Sequence, residues 1–257
     1  MILKFKTTAL FFVLFSVLVS CTSSSKIIYL QKAATSNSND ERISYEPVLQ
    51  SDDLLSIIVT AQNPESTIPF NLPQIQGNYQ IENNQNSITT YLIDNEGQID
   101  FPVIGKVTLA GLPRREANKK LETLVSDYIK NPVINLRILN FKISVLGEVN
   151  RPGSFVIQSE RITLFEALAK ASDLTIYGLR SNILIVRETD GVKKYQHVDI
   201  TQSDFVNSPY YYLSQNDVVI VNPNKTKINA AAVGPNTTVI LSSVSLLITL
   251  AVLLFKK

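Results

Sequence analysis

Residues 141–157, FKISVLGEVNRPGSFVI, decide how this chain folds. Phe141 to Val149 alternates apolar and polar side chains, as a half-buried strand does. Asn150-Arg151-Pro152-Gly153 is a turn that sends the chain back into a second strand, Ser154 to Ile157. Thr163 then stands where a helix would start. Glu166, three residues on, can reach back to it in a capping box, and Leu164, Leu168 and Ala171 mark the inner side. Strands at Ile183–Arg187, Tyr195–Ile200 and Asp217–Val221 complete a unit of several strands around one short helix.

A unit of similar make-up precedes it. It opens at Tyr45-Glu46-Pro47 and a strand, Leu54 to Thr60, followed by a polar, amide-rich stretch, 62–87, with the composition of a long loop. Strands follow at Ile88–Ile93 and Ile99–Ile104 around an Asp94-Asn95-Glu96-Gly97 turn. Ala117, Leu121, Leu124, Val125, Tyr128 and Ile129 recur at helical spacing and predict a helix over Pro113–Lys130, ended by Asn131-Pro132. Val133 to Ile138 alternates as a strand. Gly105-x-Val107-x-x-x-Gly111 and Gly147-x-Val149-x-x-x-Gly153 share a spacing that hints at internal duplication. The implied fold class is α+β, with two small modules of β-grasp size.

The two ends of the chain have a different character. Lys4 and Lys6 precede an apolar run that ends Leu18-Val19-Ser20-Cys21, the pattern of a secretory signal, and Cys21 is the chain's only cysteine. This resembles a bacterial lipobox, which implies lipidation at Cys21. Thr22 to Arg42, rich in Ser, Asn, Lys and Ala, then predicts a flexible tether. At the other end Thr238 to Phe255 is largely aliphatic and is followed by Lys256 and Lys257. Thr238, Ser242, Ser245, Thr249 and Lys256 share one helical face. Such a segment predicts a transmembrane helix. Either it is a plain anchor, or its hydroxyl face meets a lumen or a neighbouring copy. The domain order expected is signal 1–20, lipidated tether 21–44, modules 45–139 and 140–224, linker 225–236 and membrane helix 237–257.

Composition narrows the function. A net charge of +2 over 257 residues, with no basic stripe interleaved with aromatics, speaks against nucleic acid. His197, the sole histidine, has no Cys, Asp or Glu spacing for a metal site or a catalytic triad and fits an edge strand. Asp52-Asp53 sits in a turn, where solvated carboxylates are ordinary. Glu148 suits a turn or subunit contact, and no phosphate-binding loop is present. No catalytic residue, metal or cofactor is expected.

Several motifs together resemble a known family. Tyr45 with Asp52-Asp53-x-Leu55-x-Ile57-x-Val59, then Gly97-x-Ile99-x-Phe101-Pro102-x-Ile104-Gly105-x-Val107-x-x-x-Gly111-Leu112, and Asn131-Pro132-x-Ile134, resemble the polysaccharide biosynthesis/export domain. Val145-x-Gly147-Glu148-Val149-x-x-Pro152-Gly153 with Leu164-x-x-Ala167-Leu168-x-x-Ala171 is similar to the soluble-ligand-binding β-grasp domain that follows it. The whole chain thus resembles Wza-type outer-membrane polysaccharide export lipoproteins. Tyr210-Tyr211-Tyr212-Leu213 looks like the Bacteroidetes form.

The resemblance implies two periplasmic domains, one C-terminal transmembrane helix and an outer-membrane location in contact with membrane lipid. It also implies a homo-oligomeric ring, an octamer in that family, conducting capsule or exopolysaccharide. An inner-membrane co-polymerase, in some cases with a tyrosine kinase, would be the partner. Eight helices ~10 Å across would leave a lumen of roughly 16 Å, with Ser242, Ser245 and Thr249 along it and Thr238 and Lys256 at its ends. The competing expectation is an inner-membrane-anchored periplasmic carbohydrate-binding or adaptor protein. A glycosidase would need a carboxylate pair across a cleft, which no spacing here supplies.

Overall fold

Alternating burial along each strand sorts the chain into two hydrophobic cores. The computed structural model describes residues 27–31, 45–71, 90–189, 191–232 and 235–255. In the first module β1 (Leu54–Thr60) buries Leu55, Ile57 and Val59. It lies between β2 (Tyr91–Leu92) and β5 (Val133–Ile138), antiparallel to both. A hairpin of β3 (Gln98–Phe101) and β4 (Gly105–Thr108) adds Ile99, Phe101 and Val107 to the same core. Helix α1 (Arg114–Ser126) buries Ala117, Leu121 and Val125, spaced by four residues so that they share one face. Ile129 is also buried, but Leu124 is only partly covered, and Tyr128, beyond the helix end at Ser126, is exposed. Within the expected loop, Pro64–Phe70 forms a 3-10 helix, and the Asn71 side chain bonds both Val59 backbone groups at 2.9 Å.

The second module is built on a five-stranded sheet. β6 (Lys142–Gly147) pairs antiparallel with β7 (Gly153–Val156) and parallel with β12 (Val218–Pro223). β9 (Gly178–Thr189) and β10 (Val192–Val198) extend the far side, in the order β10-β9-β12-β6-β7. β8 (Ile162–Thr163) pairs with β11 (Tyr212–Leu213). Helix α2 (Leu164–Lys170) carries the full capping box: Glu166 N–H donates to Thr163 Oγ1 at 3.1 Å, and Thr163 N–H donates to Glu166 Oε2 at 2.7 Å. Its buried Leu164, Ala167 and Leu168 join Ile143, Val145, Ile183 and Val219 in the core. His197 is exposed on the edge strand β10.

The suggested duplication does not correspond to a structural repeat. Gly105 opens β4 with open space around it, whereas Gly147 closes β6 against β12. Gly147 has φ +90°, and a Cβ there would overlap the Val221 carbonyl oxygen.

Three expectations need correction. Asp53 is not solvated: it is 1% exposed, its Oδ2 accepts the Gln50 N–H at 2.9 Å, and its Oδ1 has no partner among the described residues. Burial pushes its pKa up to about 6, partly opposed by the Gln50 N–H and reinforced by Asp52. The linker expected at 225–236 contains helix α3 (Lys225–Ala232), started by Asn224 Oδ1 accepting the Lys227 N–H at 3.0 Å.

The third correction concerns the transmembrane helix at 237–257. Among the described residues no helix is long and apolar enough to cross a membrane. Helix α4 (Pro235–Phe255) is continuous, and Ser242, Ser243, Ser245 and Thr249 interrupt its aliphatic run. The fold class is therefore two small mixed α/β modules without that span. The location built on it, an outer-membrane protein held by a C-terminal spanning helix, falls with it.

Part of the expected tether, residues 27–31, is docked on the second module. Leu30 and Gln31 donate backbone N–H bonds to Ile200 O at 3.2 Å and Thr201 O at 2.7 Å. The Tyr29 ring packs edge-on to Phe165, with its centroid 5.3 Å from the Arg180 guanidinium carbon. Its hydroxyl donates to Asp173 Oδ1 at 2.6 Å, and burial together with that bond raises its pKa to about 12.

Two outcomes test this packing. Gly147→Ala should lower the unfolding free energy by ~2–4 kcal/mol, read from urea denaturation, because the methyl group must displace β12 and the φ is strained. Asp53 has a folded pKa above its unfolded value, so its stabilising contribution is complete below pH ~4 and is lost as pH rises through about 6. Asp53→Asn should flatten the fall in stability between those limits by ~1–3 kcal/mol.

Candidate functional site

The link between β5 and β6 is too short to let the modules drift apart. Asn140, within it, accepts the Leu54 N–H at 2.9 Å through Oδ1 and donates through Nδ2 to Asp52 O at 2.8 Å. Its own carbonyl accepts Gln215 Nε2 at 2.9 Å. Ile138 packs against both cores. On a second side the Tyr45 and Tyr212 rings stack at 5.0 Å and 25°, and the Tyr45 hydroxyl donates to Leu213 O at 2.9 Å. Burial raises the Tyr45 pKa, which keeps that donor protonated.

Between these two contacts the modules leave a cleft of about 650 Å³. Three segments line it: Tyr45, Glu46 and Pro47 before β1, Arg114, Arg115 and Asn118 from the start of α1, and Ser159, Glu160 and Arg161 between β7 and β8. A second hollow of about 390 Å³ adjoins it and adds Arg137, Ile138 and Phe141. Both share Pro47, Arg114, Ser159 and Glu160. The Arg114–Glu160 ion pair, at 3.1 Å, therefore stands between them and ties one module to the other.

The electrostatics run against local helix preference. Arg114 and Arg115 occupy the first positions of α1, where the helix dipole already presents partial positive charge. Pro113 at the N-cap offers no side-chain acceptor. Glu46 partly compensates: Oε1 accepts the Arg115 N–H at 2.6 Å and Oε2 lies 3.4 Å from its guanidinium. Arg161 forms no ion pair among the described residues and sits 5.3 Å over the Tyr212 ring. Arg114 Nε and Asn118 Oδ1 are buried without hydrogen-bond partners among the described residues. Together the hollows gather four guanidinium groups against two carboxylates.

Below the Tyr45–Tyr212 stack, Asp217 is fully buried and accepts two Arg187 bonds, Nε at 3.0 Å and Nη2 at 2.7 Å. Burial works against the Arg187 charge, yet the Asp217 carboxylate outweighs it and lifts the pKa above the ordinary value. Arg187 Nη2 also donates to Tyr212 O at 3.0 Å, so this pair supports the backbone carrying the stack.

The residues singled out from the sequence lie elsewhere. Cys21 and Lys256 are outside the described residues, as is the side chain of Thr238. Ser242, Ser245 and Thr249 do come together, lining a shallow depression of about 500 Å³ with Leu241 and Leu246 on α4. Thr249 Oγ1 donates back to Ser245 O at 2.8 Å, satisfying itself within the helix. Glu148 is partly buried, accepting Thr175 Oγ1 at 2.8 Å and facing Lys227 at 3.7 Å, a structural role between β6 and α3. The cleft residues were not legible as a group, because three distant segments meet there. One local signal was present: two arginines directly after the Pro113 that starts a helix.

Residues 41–139 match the family model described as polysaccharide biosynthesis/export protein. The chain is also 30% identical over 141 residues to the EPS I polysaccharide export outer membrane protein EpsA of Ralstonia solanacearum, covering 52% of this chain and 37% of that protein. The same identity and coverage hold for the protein of that name from Ralstonia nicotianae. The alignment thus takes in well under half of each relative's length. Residues 41–139 are thus similar to a polysaccharide biosynthesis/export domain. Among the described residues no cluster of His, Cys, Asp or Glu could hold a metal.

Asn140→Ala should remove both bridging side-chain bonds at once and leave Leu54 N–H without its acceptor. A loss of ~1–3 kcal/mol is expected, together with faster limited proteolysis at the module junction; intact coupling in that variant would assign the junction to other contacts.

Proposed function

We propose that this protein is a component of polysaccharide export, and that polymer meets it in part at the inter-module cleft. The observation that carries the reading is the match of residues 41–139 to a polysaccharide biosynthesis/export family, over the module that supplies Glu46, Arg114 and Arg115 to the cleft. A concave site bordered by an aromatic ring and several polar groups is of the kind that holds small ligands or short polymer segments, roughly 300–1,000 Å³.

In its finer form the proposal has several copies of the chain arranged around the polymer as a ring. The hydroxyl face of α4 at Ser242, Ser245 and Thr249 then turns towards the polymer or a neighbouring copy. Weak, exchangeable contacts of that kind suit a path that must hold cargo loosely. Lipidation at Cys21 would tie the N-terminus to a membrane surface, and an inner-membrane co-polymerase would supply the polymer. The docked Tyr29 bears on this geometry. Tyr29 lies eight positions after Cys21, a reach of at most ~29 Å, so a lipid on Cys21 would keep the second module near the bilayer.

A strain lacking the chain is expected to lose surface polysaccharide and accumulate polymer inside the cell envelope, with recovery on complementation. Unchanged surface polymer would reject the function. Radiolabelled palmitate should enter the native protein and not Cys21→Ser; equal incorporation in both would reject the lipid assignment.

A further inference from the structure

The geometry points to the inter-module cleft as a site for carboxylate-bearing sugars, so that the polymer it engages is an acidic one. This deepens the export reading and rests on it for the polymer's being the ligand.

Charge and placement supply the argument. Arg114 and Arg115 are the first two residues of α1, so two guanidiniums stand at one wall, while their backbone N–H groups are taken by Pro47 O and Glu46 Oε1. Arg161 faces them from the other module. A helix N-terminus normally favours acidic residues; α1 has Glu116 in its first turn and Glu46 beside it, yet it opens on two arginines. A sequence that breaks a local preference in this way commonly does so at a site of use.

The compensation present is partial. Glu46 holds Arg115 and Glu160 holds Arg114, whereas Arg161 and the neighbouring Arg137 have no carboxylate partner among the described residues. Arg161 is held in place by the Tyr212 ring rather than by a charge, so its donors are available to a ligand. Arg114 Nε is buried without a hydrogen-bond partner among the described residues.

The aromatic wall sets the ligand class beyond that of a simple anion. The Tyr45 ring, stacked on Tyr212 and anchored through its hydroxyl, borders the same cleft. It offers a rigid apolar face to the C–H side of a pyranose, while the guanidinium fork matches a planar carboxylate in two parallel hydrogen bonds. A neutral sugar would use the ring and leave the arginines unanswered. A small inorganic anion would do the reverse.

Titration of the full chain with tetragalacturonate and, separately, with maltotetraose tests this. The acidic oligosaccharide should bind at least tenfold more tightly, with an affinity that falls as salt is raised. Combining Arg161→Gln with Arg115→Gln should weaken tetragalacturonate at least fivefold and leave maltotetraose unchanged. Both side chains are largely exposed, so the thermal midpoint should stay near that of the native chain. Tyr45→Leu should weaken both sugars.

Equal affinity for the two oligosaccharides, or a preference untouched by the arginine substitutions, would overturn the acidic-sugar assignment. That failure is separate from failure of the export reading. A deletion strain that still loses surface polymer upholds export whichever sugar binds, and a deletion strain with normal surface polymer rejects export regardless of the titration.

Discussion

Asn140 is the contact on which the rest of the structure depends. One side chain accepts from the first strand of the first module and donates to the turn before it, while its carbonyl receives a bond from the second module. An amide is suited to this, because it offers donor and acceptor at a fixed separation and so satisfies two backbone groups that a sheet edge would leave open. With β5 and β6 only a few residues apart, the modules have little freedom once those bonds form. The Tyr45–Tyr212 stack and the Arg114–Glu160 pair then close the arrangement from other directions. The cleft is the space left between these fixed contacts, and so is as rigid as they are.

Charge is placed in this protein with unequal caution. Arg187 and Asp217 form a buried pair with good two-bond geometry, satisfied further by Ser214 N–H at 2.8 Å and Tyr212 O. Such a pair adds little net stability over apolar residues, but removing one member would leave the other charged and buried. Its effect is to hold the backbone of the tyrosine segment in register. The cleft is the opposite case. Its arginines are only partly balanced, and two of them lie at the helix end where positive charge is least welcome. Charge is matched by a buried carboxylate at Arg187, whereas in the cleft Arg114 and Arg115 have partly exposed carboxylate partners and Arg161 has none among the described residues.

The chain's ends gain a different character from their packing. The segment at Tyr29, Leu30 and Gln31 resembles free tether in composition, yet it binds the second module through two backbone hydrogen bonds and a ring contact. Helix α4, aliphatic over much of its length, lies exposed at Val239, Leu241, Leu246 and Leu250 without being long and apolar enough, among the described residues, to cross a membrane. Hydrocarbon content alone therefore overstated the role of this helix. The hydroxyls at Ser243 and Thr249 return to the helix's own carbonyls, the ordinary way such residues are tolerated in an apolar run.

The local features of the sequence were sufficient for most elements. Alternation located β1, β5 and the strands of the second sheet, the Thr163–Glu166 pair located the start of α2, and four-residue spacing located the buried face of α1. These depend on contacts within one element or its immediate neighbour, which is why the residue pattern is enough. The hairpin strand β4, the 3-10 helix after Asn63, helix α3 and the docking of Tyr29 escaped that pattern, being short or stabilised by distant partners. Asp53 could not be distinguished from a solvated turn residue, since the bonds that tie its turn down, to Ile93 and Asn140, come from distant parts of the chain. The cleft was still less legible. Its three walls come from stretches roughly 70 and 45 residues apart, and only the tertiary arrangement decides that Glu46, Arg114 and Arg161 face a common space, because charge at a distance acts through position and not through order along the chain.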